Sequence, residues 1–224
     1  ETCVVPDGDI VALEAGVPDE LAAAVGLSGV AAWMALASRA RLQPGERVLV
    51  LGGSGAVGQV GIGAARVLGA ESVVAVTRPA SVERARTAGA DVVVPLEGEV
   101  DALTEALAAH GPFDVVLDPV FGIAAEAASR CLAEHGRLVN LGGAAGDRAT
   151  YSSAVLRART ASILGYTNNA LTAEQRREAI TAVLAHSAAG RIRLAYAVHP
   201  LAEVEKVWSR IAAGESGARC VLVP

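Results

Sequence analysis

From residue 47 onward, short runs of nearly unbroken Val and Leu alternate with longer segments whose apolar positions recur every three or four residues. The runs at 47–51, 72–76, 91–94, 113–117, 137–141 and 161–164 read as strands covered on both faces, because neither face alternates with polar residues. Between them, 56–68, 81–88, 100–109 and 123–132 read as helices, with Gly69, Gly89 and Gly136 at helix ends that need a left-handed residue. Upstream, 3–5 and 10–13 read as short strands about the turn Pro6-Asp7-Gly8-Asp9. Pro18-Asp19-Glu20 opens a helix, Gly26 breaks it, Ser28 can cap a second helix to about residue 40, and Pro44-Gly45 turns into the first core strand. After Gly165 the rhythm changes. Thr172 caps a long helix to about residue 189, followed by a strand at 194–198, a helix at 201–213 and a strand at 219–223. The fold class expected is α/β, an open doubly wound parallel sheet with helices on both sides. The last segment is either one more unit of that sheet or a return to a different domain.

Composition narrows the class of protein. The chain has 224 residues, 52% of them hydrophobic and 3% aromatic, so its core must be built from Ala, Val and Leu. A net charge of −5 gives no basic field for nucleic acid or an anionic membrane. The longest uncharged run, Leu21 to Ser38, is rich in Ala and Gly and barely reaches spanning length, which predicts buried helices and no membrane partner. Cys3, Cys131 and Cys220 are odd in number and far apart, the pattern of reduced thiols in a cytoplasmic protein. The chain starts at Glu1 and its only Met is Met34, so a longer product is expected, with no signal peptide in this stretch.

The candidate chemistry centres on residues 47–58. A strand runs into Gly52-Gly53-Ser54-Gly55-Ala56-Val57-Gly58, and a small-residue helix follows. Gly53, Gly55 and Gly58 satisfy G-x-G-x-x-G: the first for a tight turn, the second for bare backbone against a pyrophosphate, the third for helix-on-strand packing. Amides at the helix start, aided by its dipole, would face the phosphates. The bland alternative is a glycine-rich turn. About 20 residues further on, such a fold places an acid on the ribose hydroxyls of NAD. Here the strand ends Val76-Thr77-Arg78-Pro79 without one. Arg78 offers a fork for a 2′-phosphate and Ser81 adds a hydroxyl, so NADP(H) is favoured over NAD(H), unless Arg78 is an ordinary solvated turn residue. The missing acid also counts against a methyltransferase.

Ligands in this architecture sit beyond the carboxyl ends of the strands, which nominates the loops Asp118-Pro119-Val120, Asn140-Leu141-Gly142-Gly143 and Gly165-Tyr166-Thr167. Asp118 is either a functional acid or the holder of an Asx turn. Gly142 and Gly143 would let backbone approach a flat ring, or simply make a flexible turn. His110, His135, His186 and His199 are scattered, so no metal site is expected. Tyr151 and Tyr166 have no Lys four residues on, the only lysine is Lys206, and no G-x-S-x-G elbow occurs.

Several stretches taken together resemble the medium-chain dehydrogenase/reductase superfamily. They are Leu27-Ser28-Gly29-Val30-Ala31-Ala32-Trp33, Gln43-Pro44-Gly45-Glu46-Arg47-Val48-Leu49-Val50, Gly52 to Gly58, Phe113 to Asp118, Gly136 to Gly142 and Gly217 to Leu222. The likeness is to its zinc-independent quinone oxidoreductase and enoyl reductase branch, whose longer glycine turn Gly52-Gly53-Ser54-Gly55 matches. Zinc-dependent members carry a cysteine near Ser28, whereas none lies here between Cys3 and Cys131. Zinc-independent relatives commonly carry Thr at the position of Ala31. The resemblance implies a Rossmann domain at 30–166 with remnants of a GroES-like substrate domain at both ends, 1–29 and 167–224. It implies hydride transfer from NADPH to a small-molecule acceptor, a quinone or an α,β-unsaturated carbonyl. Gly55 to Val57 would hold the pyrophosphate, Arg78 and Ser81 the 2′-phosphate, and Leu141 and Gly143 would flank the nicotinamide. A homodimer through the edge strand 161–164 is also implied. No catalytic residue is assigned, because such groups lie mainly in the remainder of the substrate domain. Two alternatives stay open: a non-catalytic NADPH-binding sensor or scaffold, and an alcohol dehydrogenase with zinc ligands outside this chain.

Overall fold

A computed structural model describes residues 4–6, 10–13 and 16–224. Six parallel strands form one sheet: β1 (Arg47–Leu51), β2 (Ser72–Thr77), β3 (Val92–Pro95), β4 (Phe113–Asp118), β5 (Leu132–Asn140) and β6 (Ser162–Gly165). Their spatial order is β3-β2-β1-β4-β5-β6. The order reverses between β1 and β4, so the loops after these two strands diverge and leave a crevice.

Successive strand residues point to opposite faces, and the core divides accordingly. Val48, Val50, Val73, Ala75, Val115 and Leu117 pack against one helical layer. That layer holds α1 (Asp19–Met34), α2 (Ala56–Val67), α3 (Val82–Thr87) and α7 (Ala173–Ala188). Leu49, Leu51, Val74, Val76 and Val116 pack against the other, formed by α4 (Val100–Ala108) and α5 (Gly122–Arg130). With both faces covered, each central strand must be apolar throughout, which is the pattern the sequence carries.

Element boundaries follow from local chemistry. Thr172 accepts from the Gln175 N–H while Gln175 reaches back to the Thr172 N–H, a reciprocal cap that starts α7 as expected. Gly26 breaks the helical path at φ 28°, ψ −128°, so two helical pieces meet at a kink as expected, but Ser28 lies inside the second piece instead of capping it. The segment continues through a wider turn at Ala35–Arg39. The span Asp19–Arg39 is long and apolar enough to cross a membrane, yet it is kinked, and Val25, Ala32, Ala35 and Leu36 are buried in the core.

Other expectations are corrected. The described residues among 3–5 and 10–13 form no strand, and Val4, Val5 and Ile10 are exposed. Cys3 and Asp7–Gly8–Asp9 lie outside the described residues. Gly136 does not end a helix. It sits in β5 beside a register shift, where a Cβ would stand 3.0 Å from Phe113 O, and the left-handed residue there is His135 at φ 59°. Strand β5 therefore begins at Leu132, and the preceding helix ends at Arg130. The loop after it contains a short helix, α6 (Ser153–Ala158), capped by the Ser152 hydroxyl. Finally, β7 (Tyr196–Pro200), α8 (Val204–Ala212) and β8 (Arg219–Val223) form a parallel two-stranded unit that does not join the large sheet.

Candidate functional site

The crevice is built around the turn from β1 to α2. The left-handed residue of that turn is Gly52 at φ 64°, one position before the glycine expected to make it. Gly53 has a different constraint: a Cβ would lie 2.7 Å from the Ala75 methyl, so it lets the turn press on β2. Its N–H donates to Val76 O at 2.9 Å. At Gly58 a Cβ would fall 2.2 Å from Gly52 O, which makes it the helix-on-strand contact the motif requires. Gly55 has neither constraint. Its φ of −75° and ψ of 169° suit any residue, and a Cβ would meet only Gly52 O, at 3.4 Å. Among the described residues, no contact therefore requires glycine at position 55. The N–H groups of Ala56, Val57 and Gly58 precede the first helical hydrogen bond of α2, Gln59 N–H to Gly55 O.

Three cavities open around this turn. One of about 380 Å³ is walled by Gly52, Val76, Thr77, Leu96, Val120 and Ala124, and is mostly apolar. A second, about 350 Å³, lies on the other side between Ala31, Val57, Pro119, Leu141, Gly142 and Tyr166. The largest, about 680 Å³, lies between the turn and the β7–α8–β8 unit. Ser54, Gly55 and Ala56 form one wall, Arg219 and Cys220 the opposite one, with Arg78 and Arg84 also lining it. Among the described residues, no carboxylate or histidine lines any of the three, although the chain is acidic overall. The three guanidiniums thus make the local field positive.

Thr77 ends β2 where an acid would bind ribose, and its hydroxyl donates to the Ser54 hydroxyl at 2.5 Å, tying the strand end to the turn. Arg78 follows it and is exposed. Ser81 stands at the cap position of α3 with no side-chain cap bond, and is not brought into any of the three cavity walls.

Asp118 is fully buried. Its Oδ1 accepts from the Val120 and Phe121 N–H groups at 3.0 and 2.7 Å, and its Oδ2 from Asn140 Nδ2 at 3.1 Å. These are the bonds of an Asx turn, so the side chain shapes the β4 loop and does not face the cavities. Burial raises its pKa despite those donors. The same Asn140 amide donates to Gly142 O at 2.7 Å, which joins the β4 and β5 loops. Gly142 and Gly143 are glycines because carbonyls of Pro119 and Gly146 would lie 2.7 Å from any Cβ there. Leu141 and Gly142 line the cavity, while Gly143 does not. Tyr166 donates its hydroxyl to Asn168 Oδ1 at 2.7 Å, and burial pushes its pKa up to about 12, so it stays protonated.

Sequence reasoning nominated the turn, Arg78, Val120, Leu141, Gly142 and the loop at Tyr166, which the fold gathers around one crevice. It missed Arg84, Arg219 and Gln59. Gln59 was a detectable signal, a lone polar residue in an otherwise small and apolar helix face. Arg219 gave none, because only the chain's return brings it back to residue 55. Among the described residues no group of three His, Cys, Asp or Glu could hold a metal ion.

A doubly wound parallel sheet with a glycine turn at its switch point has the form of a dinucleotide-binding domain. The family model described as zinc-binding dehydrogenase matches residues 56–185. The polyketide synthase GfsB of Streptomyces halstedii is 39% identical over 132 residues, 57% of this chain and 2% of its own length. A cobalt- and zinc-bound thermostable alcohol dehydrogenase from Pyrobaculum aerophilum is 31% identical with a TM-score of 0.75, covering 98% of this chain and 61% of that one. A mycobacterial quinone oxidoreductase shares the fold with a TM-score of 0.87 at 23% identity, over 97% of this chain and 68% of its own. The chain belongs to this dehydrogenase family, within the medium-chain dehydrogenase/reductase superfamily. It spans less than two thirds of the length of GfsB and of the Pyrobaculum enzyme.

Proposed function

We propose that the crevice binds NADP(H), and that the chain is the cofactor part of a cytoplasmic reductase that passes hydride to an α,β-unsaturated carbonyl or a quinone. One observation carries this reading: three arginines and no acid line the cavity beside a glycine turn with bare backbone. The amides of Ala56 and Val57 would receive the diphosphate, and Arg78 the 2′-phosphate, with Arg84 and Arg219 adding charge on the same side. The apolar slot at Val76, Leu96 and Val120 fits the flat adenine, and Leu141 and Gly142 would border the nicotinamide. The nicotinamide supplies the hydride when bound; the chain's own residues hold it in place and exclude water.

The likeness to a polyketide synthase favours the unsaturated carbonyl over the quinone. Of the expected substrate-domain pieces 1–29 and 167–224, the separate β7–β8 sheet fits a unit outside the Rossmann core, whereas Val25 of α1 and Val183 of α7 pack in that core. Two copies would pair through the free edge of β6.

The test is separate titration of NADPH and NADH. Arg78→Ala should weaken NADPH by about 1–3 kcal/mol, as for a charged hydrogen bond, and leave NADH nearly unchanged. Equal losses for both would remove the 2′-phosphate assignment. A second reading, a non-catalytic NADPH-binding module, is favoured by the lack of any carboxylate or histidine in the cavity walls among the described residues. NADPH-dependent reduction of enones or quinones by the parent protein would exclude it.

A further inference from the structure

Gln59 is 4% exposed, on the buried side of α2. A primary amide in that position is costly unless its donors and acceptor are used. Here they are. Nε2 donates to Ser54 O at 2.8 Å and to Gly55 O at 3.4 Å, both in the turn. Oε1 accepts from the Ala195 N–H at 2.9 Å, one residue before β7. Turning the amide over would set oxygen against two carbonyls and NH₂ against an N–H, so this orientation alone satisfies all partners. The chain of bonds then continues: Ala195 O accepts from the Arg219 N–H at 3.1 Å. Gln59 thus links the turn on one side of the largest cavity to the backbone of the arginine on the other. No strand pairing joins those two walls, because β7 and β8 pair only with each other. Further along α2, close packing of Gly63 on Ile192 holds the same segment, but farther along the helix from the turn.

We propose that Gln59 is a positioning residue that sets the separation between the glycine turn and Arg219, acting through Ala195. The inference rests on the dinucleotide reading of the crevice. It gives a reason for one buried amide on a helix whose other inward positions are small or apolar. It also makes anion affinity depend on a side chain whose hydrogen-bonding groups are all turned to protein.

Two variants of the full chain separate this role from simple packing. Gln59→Met keeps length and approximate volume but makes none of the bonds. It should speed hydrogen exchange at the Ala195 amide in the nucleotide-free protein and weaken NADPH about tenfold at every pH. Gln59→Glu keeps the acceptor for Ala195 and loses the donors. As a carboxylate facing two carbonyls it should weaken NADPH at least tenfold relative to wild type at pH 8. Such a buried carboxyl has a raised pKa, so lowering the pH toward 6 protonates it, restores an O–H donor to Ser54 O and returns most of the affinity. In a double-mutant cycle, Gln59→Met and Arg219→Ala should lose less together than the sum of their separate losses.

Wild-type exchange at Ala195 in Gln59→Met would overturn the proposal, as would a pH-independent loss in Gln59→Glu. The exchange measurement needs no nucleotide. If wild type bound no NADPH, the proposed function would fall while exchange at Ala195 still decided the fate of the Gln59 link.

Discussion

Replacing Gly58 with alanine would put a methyl carbon 2.2 Å from Gly52 O and 2.7 Å from the Gly53 Cα. Both neighbours are backbone, so no rotamer change relieves the overlap. The start of α2 must move off the turn by about 1 Å, against a sheet on which Gly61 already rests so closely that a Cβ there would lie 2.3 Å from Leu117 Cδ2. Overpacking of this kind costs about 3 kcal/mol, at the upper end of its usual range. Alanine's better helix propensity returns about 1 kcal/mol, leaving a net loss of about 2 kcal/mol. In urea denaturation that lowers the midpoint by about 1 M for an m-value of about 2 kcal/mol/M. Gly55→Ala is the matched control. Its backbone suits alanine and the nearest atom is 3.4 Å away, so stability should hold or rise by about 0.5 kcal/mol. NADPH affinity in that variant should nevertheless fall at least tenfold, because the methyl occupies the approach to the helix-start amides. An unchanged midpoint in Gly58→Ala would refute the close contact. Undiminished NADPH binding by Gly55→Ala would refute the phosphate assignment.

Two further outcomes follow from other parts of the fold. Glu46 accepts from Arg137 Nη1 and Nη2 at 2.6 and 2.7 Å, with both side chains mostly buried. Burial pushes its carboxyl up, but the Arg137 hydrogen bonds, the Gln43 N–H and the Arg137 charge together hold its pKa below the usual value. A depressed folded pKa adds stability above the unfolded carboxyl's pKa of about 4.3, and that stability is lost as the pH falls through the folded value. Glu46→Gln should therefore cost about 1–3 kcal/mol at pH 7, and its gap to wild type should close below about pH 4 in parallel urea melts. For the β6 edge, size-exclusion with light scattering should show a dimer, and a monomer at high concentration would end that proposal.

The alternation of unbroken apolar runs with helical periodicity determined the parallel sheet by itself, because only strands covered on both faces can be apolar at every position. The Gly53–Gly58 spacing likewise located the turn, and Thr172 with Gln175 located a helix start, since caps and turns are decided within a few residues of chain. Several of the misread features were decided between distant segments. Gly136 looked like a helix end and proved to be a site where β5 passes close to β4, a contact invisible without the partner strand. Gly142 and Gly143 are small because other loops press on them. Asp118 could have been an acid or a turn holder on sequence alone, and burial with two backbone donors decided it. Arg84 and Arg219 entered the crevice only through packing, because residues 135 positions apart become neighbours by the path of the chain and not by any local pattern. Local patterns are short-range physics written in order along the chain; the charge that meets a ligand is a sum over whatever the fold brings within a few ångströms.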